Sequence, residues 1–159
     1  VTDRIKVYFA GPLFTQAEWM WNETVVNELR KCGIIVALPQ ERSITTMTGE
    51  EQFDPKLLFD ENAASIKACD AVIAVLDQAD VDSGTAWECG YAFGLGKPVI
   101  GIRSDFRNSG DDGELPINLM LARSIKAYIQ VPISKRSDTS WLVQEVIKLL
   151  DSTIRMDRG

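Results

Sequence analysis

The sequence predicts an α/β fold: a doubly wound parallel sheet of five strands with helices on both faces, built as one domain over residues 1–159. Three observations lead there. Five short apolar, β-branched runs recur along the chain, segments with helical spacing lie between them, and no repeat, low-complexity tract or Pro/Ser-rich linker divides it. Strands alternating with helices build a parallel sheet whose crossovers cover both faces. A chain of 159 residues, 45% hydrophobic and 25% charged, is long enough for one substantial core.

The first strand is expected over 6–10 (KVYFA) and runs into Gly11-Pro12. That pair makes a turn, and a glycine there also permits a ligand to approach the backbone. Helical spacing over 19–29 stops before Gly33, and a second strand follows over 34–38, bounded by Gly33 and Pro39. Residues 56–68 read as a helix, 71–76 (AVIAVL) as a third strand between Asp70 and Asp77, and 85–95 as a helix ending at Gly96. The fourth strand is expected over 98–102, the fifth over 125–129 and a last helix over 141–150. This order fits a flavodoxin-like or Rossmann-like sheet. The irregular stretches 39–54 and 103–116 are rich in Asp, Glu, Gly, Thr and Ser. Loops of that length in a compact domain are usually functional. Ligands of open parallel sheets bind beyond the carboxyl ends of the strands, which singles out the segments 11–15, 77–84 and 103–107.

Charge and composition remove several functions. A net charge of -6 argues against a nucleic acid as partner, because such binding depends on clustered Lys and Arg neutralising phosphates. Cys32, Cys69 and Cys89 are odd in number and show no C-x-x-C spacing, so neither a disulfide framework nor a zinc site is expected. The chain holds no histidine, which removes Ser-His-Asp triads, Cys-His pairs and His-ligated metals together. No metal or cofactor is expected. No apolar run reaches membrane-spanning length and no basic-then-apolar segment opens the chain, so the expectation is a cytoplasmic protein without a membrane partner.

The segment DSGTAWECGYA, beginning at Asp82, sets two carboxylates at the mouth of a helix rich in small residues. Glu88 falls near the helix start, where the positive helix end favours an ionised carboxylate. That field alone explains many such glutamates. Here Ala86, Cys89, Gly90 and Ala92 leave room beside it for something other than protein. Asp82 before Ser-Gly is an ordinary N-cap signal. Paired with Glu88, it also fits chemistry in which one carboxylate attacks an anomeric carbon and the other serves as acid/base or sugar ligand. Tyr8 reads as core filling, although a buried hydroxyl needs a partner. Trp19 and Trp21 read as packing or subunit-interface residues. Gly90, Gly94 and Gly96 make no dinucleotide fingerprint, because they lie in and after a helix. Cys89 reads as a small buried thiol with no base to activate it.

Taken together, the blocks YFAGPLF (from Tyr8), CDAVIAVLD (from Cys69), DSGTAWECGYA (from Asp82), GKPV (from Gly96) and PINLM (from Pro116) resemble the nucleoside 2-deoxyribosyltransferases. The D-x-G-x-x-x-E-x-G-Y-A block is the specific part. The resemblance implies exchange of the base on a 2'-deoxynucleoside, with free nucleobases as the other substrates. Glu88 would form a deoxyribosyl ester, Asp82 would act as sugar-binding and acid/base carboxylate, and Tyr8 would position the nucleophile. Asn118 resembles an asparagine given to a neighbouring subunit, which implies a dimer-based homo-oligomer, up to a hexamer, with a shared site. Members of the family carry an aspartate where this chain has Asn62, and an amide can hydrogen-bond a base without protonating it. Arg103, Asp105 and Arg107 follow the fourth strand, where the family builds part of its base pocket. Gly11, Phe14, Asp77, Gly84 and Met120 complete the residues assigned to substrate binding.

Two other functions compete. A 2'-deoxynucleoside 5'-monophosphate N-hydrolase would use the same Glu88 ester and hand it to water, but it needs phosphate donors, and Ser83 is a lone candidate. A non-catalytic nucleotide sensor on the same sheet would have no reason to hold Tyr8, Asp82, Glu88 and Asn118 together.

Overall fold

The computed structural model describes residues 4–42 and 54–157. Most of the irregular stretch expected over 39–54 lies outside the described residues; residues 39–42 are helical. The strands are β1 (Lys6–Ala10), β2 (Ile35–Ala37), β3 (Ala71–Val75), β4 (Val99–Arg103) and β5 (Ala127–Gln130). They form one sheet in the order β2-β1-β3-β4-β5, every neighbouring pair parallel. This is the flavodoxin-like order, in which the chain reverses direction across the sheet between β1 and β3. The helices are α1 (Gln16–Lys31), α2 (Pro55–Ala68), α3 (Ser83–Gly94), α4 (Leu119–Ser124) and α5 (Thr139–Asp157), with a 3-10 turn at Ile133–Lys135.

Strand alternation divides the apolar residues into two cores. Val7, Phe9, Ile73, Val75, Ile100 and Ile102 face one side, where α1 supplies Val25 and Leu29 and α5 supplies Leu142, Val146 and Leu150. Tyr8, Val72, Ala74 and Val99 face the other, against Ile66 of α2, Cys89 and Ala92 of α3 and Leu121 of α4. β3 and β4 are buried along their whole length, as central parallel strands covered on both faces must be. The small residues of α3 let that helix sit close above β1 and β3. In open parallel sheets the ligand crevice lies beyond the carboxyl ends of the strands at the switch point, here between β1 and β3.

Boundaries differ from the sequence reading where local hydrogen bonds decide them. α1 starts at Gln16, ahead of its first expected residue, because Thr15 and Glu18 close a capping box: the Glu18 amide donates to Thr15 Oγ1 at 3.2 Å and the Thr15 amide donates to Glu18 Oε2 at 2.8 Å. α2 is opened by Asp54 and Pro55. β5 begins at Ala127, later than expected, because Ile125 caps α4. α4 itself was not expected from the pattern: a helix of six residues is too short to display a period.

The segment between β4 and α4 folds back on itself. A Cβ built on Gly110 would strike the backbone of Ile117, which cannot swing aside as a side chain could. Gly110→Ala should destabilise the protein by about 1–3 kcal/mol. Denaturant unfolding of the variant beside the parent measures this, and equal midpoints would show that the segment has slack.

Candidate active site

Tyr8 is the middle residue of β1, is 1% exposed, and points toward α2 and α3. Its hydroxyl donates a hydrogen bond to Glu88 Oε1, spanning 80 positions of sequence. Burial first, then the charge of Glu88 and the hydrogen bond to it, push the phenol far above its ordinary pKa. The phenol thus remains a donor throughout the physiological range.

Glu88 is the sixth residue of α3, placed by the helix beside the sheet-facing positions Thr85, Cys89 and Ala92. The sequence reading expected a carboxylate kept ionised by the helix end. The structure corrects this. Glu88 lies in the second turn, and burial pushes its carboxyl up to about 7, opposed by the Tyr8 hydrogen bond and reinforced by the charge of Asp82. Desolvation outweighs a helix field that falls off within the first turn.

Asp82 is the N-cap of α3. Its Oδ2 accepts from the Thr85 amide at 2.8 Å and from Thr85 Oγ1 at 3.0 Å, while Oδ1 takes no hydrogen bond among the described residues. Capping and coupling to Glu88 are therefore both true of this residue. Thr85, 1% exposed, fixes the carboxylate from beneath. Cys89, next to Glu88, is a poor nucleophile: burial and the neighbouring carboxylate push its thiol up to about 12.

Asn62 lies on α2, one turn from Phe59. Phe59 rests on Trp87 of α3 at 5.3 Å between ring centroids, and Trp87 stacks on Tyr91 at 5.1 Å. The Asn62 Oδ1 is buried without a hydrogen-bond partner among the described residues. A buried acceptor left unpaired costs about 1–3 kcal/mol. Arg42, which sequence reasoning did not single out, donates to Ser65 Oγ at 3.0 Å and to the Glu61 carbonyl at 3.2 Å, and its charge acts on Tyr8. Its place at the carboxyl end of β2 was the signal that could have found it.

Other expected binding residues are placed differently. Gly11 makes a close approach, but to protein: a Cβ there would meet Val75 Cγ2 at 3.0 Å. Asp77 accepts from the Ser104 amide at 2.5 Å, Ser104 Oγ at 2.6 Å and the Asp105 amide at 2.8 Å. Arg103 is wholly buried and donates to the carbonyls of Leu76, Gln78 and Arg107. Asp105 is paired with Arg107, whose hydrogen bonds hold the carboxyl well below its usual range. These groups are engaged with one another and with backbone. Gly84 is exposed in the first turn of α3. Phe14 and Met120 stand out at 76% and 77% exposure, and Asn118 caps α4 through the Met120 amide at 3.0 Å. The structure thus brings Tyr8, Asp82 and Glu88 together and leaves Phe14, Asn118 and Met120 at the surface. Among the described residues, no cluster of three His, Cys, Asp or Glu side chains is arranged to hold a metal, and no helix is long and apolar enough to cross a membrane.

The sequence model of the nucleoside 2-deoxyribosyltransferase family matches residues 7–120, from β1 into α4. The chain belongs to that family. No curated protein matches it. Among solved structures, this deoxyribosyltransferase-family chain is similar to a conserved protein from Enterococcus faecalis V583, with TM-score 0.72 and 27% identity over 91% of this chain and 98% of that one. It is also similar to a 2-deoxyribosyltransferase from Bacillus psychrosaccharolyticus, with TM-score 0.64 and 31% identity over 79% and 85% of the two chains. A 2-desoxiribosyltransferase from Leishmania mexicana aligns with TM-score 0.59 and 25% identity over 88% and 97%. The matched stretch contains every candidate site residue of this family member.

The coupled charges make a measurable statement about Glu88. Tyr8→Phe removes a hydrogen bond that favours the ionised carboxylate, so the Glu88 pKa should rise above about 7. Asp82→Asn removes a like charge, so it should fall. Titration of 13C-labelled glutamate carboxyls by NMR reads both shifts without relying on activity, and unchanged or reversed shifts would contradict the stated electrostatics.

Proposed function

We propose that this protein is a nucleoside 2-deoxyribosyltransferase that exchanges the nucleobase of a 2'-deoxynucleoside for a free purine or pyrimidine through a deoxyribosyl ester on Glu88. The observation that carries this reading is the pairing of Glu88 with the Tyr8 hydroxyl beside Asp82, in a chain of this family.

The geometry supports the following steps. A carboxyl with a pKa of about 7 is ionised in a substantial share of molecules at neutral pH, and the ionised form is a desolvated, reactive nucleophile. The Tyr8 hydroxyl occupies Oε1 and leaves Oε2 to attack C1' of the sugar. The C1'–N bond breaks, its electron pair leaves with the base, and the C1'–O bond of the ester forms. Asp82, held by Thr85, offers Oδ1 to a sugar hydroxyl. Asn62 offers its unpaired amide oxygen to an N–H of the base. A nitrogen of the second base then attacks C1', the ester electron pair returns to Glu88, and the incoming base releases its N–H proton to solvent, which balances the proton the departing base takes up from solvent. Two displacements give net retention.

A homo-oligomer with a shared site is part of the reading. A groove of about 420 Å³ between α3 and α4 is lined by Ala86, Gly90, Phe93, Asn118 and Met120, and Phe93 is 60% exposed. A second copy covering it would carry Asn118 and Met120 to another chain's sugar site. The free thiols of Cys32, Cys69 and Cys89 suit a reducing cytoplasm.

Incubation with deoxyinosine and adenine should yield deoxyadenosine and hypoxanthine, and Glu88→Ala should lower that rate by several orders of magnitude with the fold intact. Release of free deoxyribose with no new nucleoside would identify an N-hydrolase instead. A 2-fluoro-arabino nucleoside should leave one pentosyl adduct on the Glu88 peptide by mass spectrometry, and an adduct on Asp82 would reverse the two roles.

Sharing of the site has its own test. Inactive Glu88→Ala and inactive Asn118→Ala chains, mixed after subunit dissociation, should regain part of the activity through hybrid sites. Absence of recovery once mixed oligomers are demonstrated would place Asn118 in the site of its own chain.

A further inference from the structure

The proposed steps leave one nearby cation without a task. Arg42 stands at the end of the short helical stretch that follows β2. Its guanidinium donates to the Glu61 carbonyl at 3.2 Å and to Ser65 Oγ at 3.0 Å, both on α2. Glu61 immediately precedes Asn62 and Ser65 follows it by one turn, so the guanidinium lies along the stretch of α2 that carries the unpaired Asn62 Oδ1. The same charge reaches the Tyr8 phenol, whose pKa it lowers against the larger effects of burial and of Glu88. Two separate observations therefore set positive charge beside Asn62 and within range of Tyr8. The carboxylates of Glu61, at 3.9 Å, and of Glu41 temper that charge, and the Arg42 side chain keeps 44% of its surface exposed.

The sheet order fixes which side of Tyr8 the cation occupies. β1 lies between β2 and β3. Glu88 comes to Tyr8 from α3, which packs over β3 and its neighbours β1 and β4, whereas Arg42 comes from the end of β2 and is fastened to α2, which packs over β1. The carboxylate and the guanidinium thus approach from opposite flanks. In the first displacement Glu88 attacks C1' from one side and the base leaves from the other. A sugar that turns C1' to Glu88 directs its base toward the flank of Asn62 and Arg42.

Negative charge crosses the site in that step. The Glu88 carboxylate loses its charge as the C1'–O bond forms, and the base nitrogen gains one as the C1'–N electron pair leaves with it. Asn62 accepts an N–H of the base and has no proton to give at neutral pH. The departing base is therefore an anion until solvent protonates it. A guanidinium stays charged throughout. It meets a neutral base in the bound nucleoside and an anion as the bond breaks, and only an interaction that grows in this way accelerates the step.

We propose that Arg42 stabilises the negative charge developing on the departing nucleobase, in place of a general acid, and so makes the acidity of the base N–H the property by which this protein ranks its donors. The inference rests on the transferase reading of Glu88. Purines made more acidic by an electron-withdrawing substituent are then the better leaving groups.

The experiment measures kcat/KM for base release from the 2'-deoxyribosides of 6-chloropurine, purine and adenine, whose N–H acidity falls in that order, with hypoxanthine as acceptor. Arg42→Met, which keeps the length of the side chain and removes its charge, should lower release of adenine by about 100-fold and release of 6-chloropurine only several-fold. Arg42→Lys keeps a charge without the planar fork and should recover part of the adenine rate. Ser65→Ala removes one tie between Arg42 and α2 and leaves the charge in place, so the ratio between donors should stay at the parent value. That ratio is taken on one preparation and is independent of the fraction of protein folded. Equal losses for all three donors in Arg42→Met, or the same change of ratio in Ser65→Ala, would show that the arginine only fastens the end of β2 to α2 and would overturn the inference. Failure of the parent chain to release base from any donor would overturn the reading of Glu88 and the inference with it. Free deoxyribose in place of a new nucleoside would replace transfer by hydrolysis, and the donor ratio would still decide the role of Arg42.

Discussion

The hydrogen bond from the Tyr8 hydroxyl to Glu88 is the contact on which the rest of the site depends. It joins the centre of β1 to the second turn of α3, so it exists only if the sheet order and the α3 crossover are both correct. Two opposed effects meet there. Burial disfavours the charged carboxylate, whereas a donor that cannot itself ionise favours it. The balance leaves Glu88 near neutrality, with the proton free to leave and the remaining charge poorly solvated. A glutamate on the exposed face of the same helix would be ionised and hydrated at neutral pH.

Around that contact, the small residues of α3 have a geometric purpose. Cys89 and Ala92 lie against the sheet and bring the helix close, Gly90 leaves open surface on another side, and a Cβ at Gly84 would crowd Asp82 Oδ2 at 3.1 Å. Asp82 has two tasks. Its capping bonds to Thr85 stabilise the helix start and at the same time fix the direction of a second carboxylate toward Glu88. The cap uses one carboxylate oxygen of Asp82 and leaves the other without a hydrogen bond among the described residues, so capping is compatible with the site role proposed for it.

The carboxyl edge beyond β3 and β4 shows a different economy. Asp77, Arg103 and Asp105 look in the sequence like a charged lining for a ligand. In the structure, apart from the unpaired Arg103 Nε, they are engaged by Ser104, by Arg107 and by backbone carbonyls. Buried charge survives where hydrogen bonds replace the lost water. Where such groups can reach each other across two loops they become ties, and the strained Gln78 between them is the local price of the resulting shape.

The sequence by itself determined the five strands, the longer crossover helices and the doubly wound class, because alternation, β-branching and capping residues act over a few neighbours. It also brought Asp82 and Glu88 forward through a motif of fixed spacing, and Tyr8 through the family resemblance of its strand. Short α4 was illegible, since six residues cannot show a period, and Arg42 was overlooked for want of a motif around it. Only the tertiary structure decided the proton affinity of Glu88, the unpaired oxygen of Asn62 and the engagement of Arg103 and Asp77 with each other's loops. Those properties depend on desolvation and on distances between residues far apart in the chain. Packing of the α2–α3 face onto the sheet sets both, and no local pattern records them.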